Sequence, residues 1–147
     1  MNKISNALQA DYPELVKVWG NSVKATHHFL NKDDFQLIKQ SLAKDYFPAV
    51  DLYLIRGNRN KVTGFIGVAG NKLEMLFVDA NKRGQGIGKL LLNYAIVNLG
   101  IDEVDVNEQN EQAVGFYKKQ GFEVVKRNEF DAQGKPYPIL EMKLEVK

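Results

Sequence analysis

The run Lys82-Arg83-Gly84-Gln85-Gly86-Ile87-Gly88-Lys89-Leu90-Leu91-Leu92 holds residue types whose spacing has an evident chemical use. Three glycines at alternate positions lie between an apolar run, Leu73 to Val78, and a segment whose apolar residues recur at helical spacing; a strand, a tight loop and a helix start are predicted. Glycine lacks Cβ, so the loop can turn successive N–H groups toward one point, and the helix that follows adds unpaired amides and a partial positive charge. Such a concavity binds an anion. Lys82, Arg83 and Lys89 add cations with no acidic residue among them, which suits a group with more than one negative charge, such as a pyrophosphate.

A second constellation is Asn110-Glu111-Gln112-Ala113-Val114-Gly115-Phe116-Tyr117-Lys118-Lys119-Gln120-Gly121-Phe122. On a helix, Asn110, Ala113 and Tyr117 stand at i, i+3 and i+7, so an amide and a phenol share one face about 10 Å apart along the axis. Taken singly, Asn110 also reads as a plain N-cap and Tyr117 as an aromatic at the edge of a core.

Other glycine loops fit less well. A P-loop needs G-x-x-x-x-G-K-[ST], but Lys89 is followed by Leu90; a dinucleotide fingerprint needs G-x-G-x-x-G, but Gly84, Gly86 and Gly88 are spaced two and two. Arg83-Gly84-Gln85-Gly86-Ile87-Gly88 instead resembles the R-x-x-G-x-G signature of the GNAT acyltransferase superfamily. The segment from Asn110 to Phe122 is similar to that superfamily's N-x-x-A-x-x-F-Y-x-x-x-G-F element at every named position. The run from Trp19 to Phe29, with its adjacent His27 and His28, is similar to one bacterial branch of these acetyltransferases.

The resemblance implies a GNAT-like α/β fold: a mixed, mostly antiparallel sheet with a central parallel strand pair, flanked by helices. It implies acetyl-coenzyme A as cosubstrate, an amine acceptor, and direct transfer in a ternary complex. Carried onto this chain, the coenzyme site comprises Leu76, Phe77 and Val78 on the strand, Arg83, Gly84, Gln85, Gly86, Ile87, Gly88 and Lys89 in the loop, and Asn110 and Tyr117 on the later helix. Tyr117 becomes the acid for the leaving thiolate. For the base the candidates are Glu74, His27, His28 and a water chain; alternation puts Glu74 on the face of Leu76 and Val78 unless a bulge intervenes. The acceptor wall falls on Trp19 to Phe29 and Asp131 to Tyr137. Where many members carry proline two residues after the strand's last valine, this chain has Ala80, from which a looser loop is expected. A non-catalytic acyl-coenzyme A sensor on the same scaffold stays open as an alternative, with a nucleotide-binding oxidoreductase a distant third.

The elements that must position these residues follow from periodicity. A weak strand is expected from Lys3 to Leu8, a helix from about Asp11 to Ala25 with Asp11 as N-cap, and a second helix marked by Phe35, Ile38 and Leu42 that ends before Pro48. Asp51 to Arg56, Val62 to Ala69 and Lys72 to Val78 read as an antiparallel meander. The helix after the glycine loop carries Gly88, Leu91, Leu92, Ala95, Ile96 and Leu99 on one face, a stripe expected to pack on the sheet, and stops at Gly100. Glu103 to Val106 is then a strand parallel to the one before the loop, because strand, helix, strand is a crossover. Ligands favour the carboxyl ends of such strands, where both constellations lie. Glu123 to Glu129 and Ile139 to Glu145 complete the sheet.

Composition bounds the rest. The 147 residues are expected to form one domain, with 44% hydrophobic and 26% charged residues as in ordinary globular proteins. A formal charge of +2 from 20 basic and 18 acidic residues is too balanced for a nucleic-acid binder. With no cysteine and two histidines, disulfides, a cysteine nucleophile and a metal site are not expected. No signal peptide or membrane span is legible, so a cytoplasmic protein without membrane partners is expected. The acceptor's identity and the oligomeric state, a homodimer included, are left open.

Overall fold

The computed structural model describes residues 3–26 and 28–144. Seven strands form one sheet: β1 (Lys3–Asn6), β2 (Asp51–Arg56), β3 (Val62–Ala69), β4 (Lys72–Val78), β5 (Glu103–Asn107), β6 (Phe122–Asn128) and β7 (Ile139–Leu144), in the spatial order β1-β2-β3-β4-β5-β7-β6. Every neighbouring pair is antiparallel except β4 and β5. Helices α1 (Tyr12–Thr26) and α2 (Lys32–Ser41) cover one face, and α3 (Ile87–Leu99) and α4 (Glu111–Lys119) cover the other. The mixed sheet with one parallel pair is as expected from the sequence.

β3 sits between the two cores. Phe65 packs with Leu15, Trp19 and Phe47 beneath α1, while its neighbour Ile66 packs with Leu73, Leu91 and Val104 beneath α3. A strand buried on both faces needs no polar side, hence the nearly unbroken apolar run from Val62 to Val68. Gly64 is fixed by this packing: a Cβ there would stand 3.0 Å from Leu91 Cδ1 and 3.1 Å from the Phe77 carbonyl oxygen.

Two local expectations are corrected. Asp11 does not cap α1; its Oδ2 accepts the Leu8 N–H at 2.8 Å, closing a short 3-10 turn, and its Oδ1 accepts from Arg56 at 2.9 Å. The second helix does not run unbroken to Pro48. After Ser41 it widens into a π turn, Leu42–Tyr46, and then tightens into a 3-10 turn, Phe47–Ala49. Leu42 and Phe47, five residues apart, are both buried, and only an i to i+5 turn brings that spacing onto one face.

The register of the parallel pair decides where a ligand can enter. Lys72 stands opposite Glu103 and Leu73 opposite Val104, and there the pairing ends. On its other side β4 carries a bulge: Gly67 faces Met75 but Val68 faces Leu73, so Glu74 is the extra residue. A bulge bends and twists its strand, and this one lies where β4 parts from β5. The open edges of 74–78 and 105–107 therefore face each other across a gap. Among the described residues no helix is long and apolar enough to cross a membrane.

Candidate active site

The gap between β4 and β5 opens into a cavity of about 460 Å³. Its strand wall includes Glu74, Leu76, Phe77 and Val78; the loop and the first turn of α3 contribute Arg83, Gly84, Gly86, Ile87, Gly88 and Lys89; the far wall holds Asn110 and Tyr117. Residues nominated from three separate stretches thus line one space. Gln85 is exposed at the loop tip and does not line it. His27 lies outside the described residues. His28 lines a separate depression with Lys24 and Phe35.

The loop's glycines serve two purposes. Gly84 and Gly86 have φ of 77° and 81°, a left-handed conformation that other residues adopt at a cost. Gly88 lies inside α3, and a Cβ there would meet Phe116 and Val78 at 3.8 Å, ordinary contact. The protein itself therefore gives no steric reason for a glycine at 88, and the position lines the cavity. The first helical hydrogen bond of α3 runs from Leu90 N–H to the Gly86 carbonyl at 3.0 Å, so the amides of Ile87, Gly88 and Lys89 lie ahead of the ladder. No side chain caps this end and its first turn carries no acid, leaving the helix dipole uncompensated. An anion with two phosphates fits.

The loop is not loosened at Ala80 as its residue type suggests. Its N–H donates to Asn21 Oδ1 on α1 at 2.8 Å, a bond that proline could not make. Arg83 in turn donates to the Ser22 carbonyl and hydroxyl.

Asn110 caps α4 through its Oδ1, which accepts the Ala113 N–H at 3.2 Å, and also lines the cavity. Tyr117 is 6% exposed, with Phe116 and Phe122 edge-on at ring distances of 5.3 and 5.8 Å. Burial pushes its phenol far above the ordinary range and keeps it protonated. Glu74 keeps an exposed side chain, and its carboxyl is raised, first by partial loss of solvent at the cavity wall and then by the Asp105 charge, with Lys72 opposing.

Sequence reasoning missed Asp105. It lines the cavity from β5; its Oδ2 accepts from Lys72 at 3.2 Å, and its buried Oδ1 has no hydrogen-bond partner among the described residues. The signal was present: in Glu103-Val104-Asp105-Val106 the valines face the core, which leaves Asp105 on the opposite face beside Glu74 once the parallel register is known. Also missed was the tether from Asn21 and Ser22, for which a single helix carries no signal. The connection from β6 to β7 is held to α2 by Asp34, which pairs with Lys135 at 3.1 Å and accepts from the Tyr137 hydroxyl.

Comparison with known proteins agrees with this geometry. A family model described as an acetyltransferase (GNAT) domain matches residues 14–146. The Salmonella typhimurium protein named peptidyl-lysine N-acetyltransferase YjaB is 39% identical over 142 residues, 97% of this chain and 97% of that protein. The solution structure of apo-form YjaB from Escherichia coli matches with a TM-score of 0.90 at 37% identity, over 100% of this chain and 99% of that one. At 22% identity the likeness is of fold alone to a Thermoplasma acidophilum PaiA N-acetyltransferase in complex with coenzyme A, with a TM-score of 0.74 over 97% of this chain and 99% of that one. Family model, sequence relatives and fold agree: the chain belongs to the GNAT acetyltransferases.

Proposed function

We propose that this chain moves the acetyl group of acetyl-coenzyme A directly to a primary amine, the side chain of a peptidyl lysine, with both substrates bound together. The observation that carries the reading is that the glycine loop, the open edge of β4 and the Tyr117 ring line a single cavity. The amides of residues 84–89, with Lys82 and Lys89, hold the diphosphate. The unpaired edge of Leu76, Phe77 and Val78 takes the pantetheine as an added strand would be taken, with Asn110 across from it. The acceptor class follows the name of the YjaB relatives and suits the carboxylates of Glu74 and Asp105 in the wall.

In the transfer Glu74 removes a proton from the acceptor's ammonium, so that the neutral nitrogen can attack the thioester carbonyl carbon. The new carbon–nitrogen bond forms and the carbon–sulfur bond breaks; Tyr117 gives its proton to the departing sulfur, and the second proton lost by the nitrogen as it becomes an amide returns to the phenolate. Burial that raises the phenol holds its proton in place until a strong base, the departing thiolate, forms beside it. A raised Glu74 is a better base near neutrality than an ordinary carboxylate.

The test is release of free thiol from acetyl-coenzyme A with lysine-containing peptides, with mass spectrometry of the product. Acetylated lysine should accumulate in step with the thiol. Tight coenzyme binding without turnover on any amine would favour a sensor instead.

A further inference from the structure

The coenzyme loop is set from outside by α1. At its start Asn21 Oδ1 accepts the Ala80 N–H at 2.8 Å. Further along, the Arg83 guanidinium donates to the Ser22 carbonyl at 3.1 Å and to Ser22 Oγ at 3.0 Å. Ser22 is 4% exposed, lines the cavity, and its carbonyl also accepts from Thr26 at 2.9 Å. These bonds join residues about sixty apart in sequence across the mouth of the site. A loop with two left-handed glycines samples many shapes unless something holds it, and a loop already in its binding shape loses less freedom when the ligand arrives.

We propose that Asn21, Ser22 and Arg83 are positioning residues for the coenzyme: α1 fixes the loop's shape before the diphosphate binds, and Arg83 bolts the loop to α1 rather than acting as a phosphate ligand. The inference rests on the coenzyme reading above. Partial burial of the guanidinium, which pulls its pKa down, accords with a side chain turned into the protein.

Ala80 supplies a clean test because it is the first residue of a short 3-10 turn, Ala80–Lys82, and Asp79 before it is extended with ψ of 129°. Proline is compatible with both positions, so Ala80→Pro removes the N–H with little other change. Calorimetric titration with acetyl-coenzyme A is run on the wild type, Asn21→Ala, Ala80→Pro and the double variant. Each single change should raise Kd roughly two- to tenfold, the effect of one neutral hydrogen bond. The double variant should bind no more weakly than the weaker single, because both delete the same bond. Ser22→Ala, which removes one of two acceptors for Arg83, should raise Kd less. The coenzyme-free proteins should melt close to the wild type.

Unchanged Kd in the single variants, additive effects in the double, or a fall in Tm with Kd unchanged would each overturn the proposal while leaving the coenzyme reading intact. Failure of the wild type to bind acetyl-coenzyme A would remove both.

Discussion

Replacing Tyr117 with phenylalanine removes one oxygen from a side chain that is 6% exposed and leaves the packing of the ring intact. The expected result is an unchanged affinity for acetyl-coenzyme A with kcat lowered roughly 10²- to 10⁴-fold, the range for loss of a general acid; steady-state kinetics beside calorimetry reads both. Gly88→Ala probes the ligand side of the loop. The new Cβ meets only ordinary contacts at 3.8 Å, so Tm should hold while Kd for the coenzyme rises roughly tenfold or more; a fall in Tm with Kd unchanged would make Gly88 a packing residue. Glu74 gives a prediction in pH. Its carboxyl is raised by partial loss of solvent and by Asp105, so the fold favours the protonated form. That contribution is complete below the ordinary carboxylate pKa and is lost as pH rises through the folded value. Glu74→Gln should therefore melt higher than the wild type near about pH 7 and match it below about pH 4, while lowering kcat; the reverse order of melting would show that the ionised carboxylate is stabilising.

At the level of elements, the loop stands where it does because α3 lies close on β3. Gly64→Ala places a methyl 3.0 Å from Leu91 Cδ1, 3.1 Å from the Phe77 carbonyl oxygen and 3.2 Å from Ile87 Cγ2, so these neighbours on α3 and β4 must give way. Overpacking of this kind costs about 1–3 kcal/mol. Because Ile87 opens α3, coenzyme affinity should fall together with Tm; thermal melts and titration check the pair, and a lowered Tm with normal affinity would mean that the loop does not depend on the helix seat. What could be read from the sequence divides along the same line. The strand, loop and helix from Leu73 to Gly100 were legible because glycine spacing and apolar periodicity are local signals. The π turn from Leu42 to Tyr46 was not, since the periodicity of Phe35, Ile38 and Leu42 continues smoothly and only the burial of Phe47 forces the wider turn. The bulge at Glu74 was equally hidden: it exists only as a shift of register against β3, to which residues 72–78 alone give no clue.

For the whole molecule, the site is a product of topology. Three stretches that the sequence singles out meet only because β5 lies parallel beside β4 and the pair separates after Leu73 and Val104. The crossover rule made the parallel pairing legible, but the separation, and with it the placing of Asp105 opposite Glu74, depends on contacts between distant parts of the chain. Ala80 shows the same limit, for its residue type suggests slackness and its N–H in fact reaches Asn21. The central claim is that one cavity holds the diphosphate at residues 84–89 and brings the thioester sulfur to Tyr117. A crystal structure with coenzyme A bound tests it most directly. The account predicts diphosphate oxygens accepting from the amides of that loop and the sulfur within hydrogen-bond reach of the Tyr117 hydroxyl; a coenzyme bound elsewhere, or a phenol turned away from the sulfur, would contradict it.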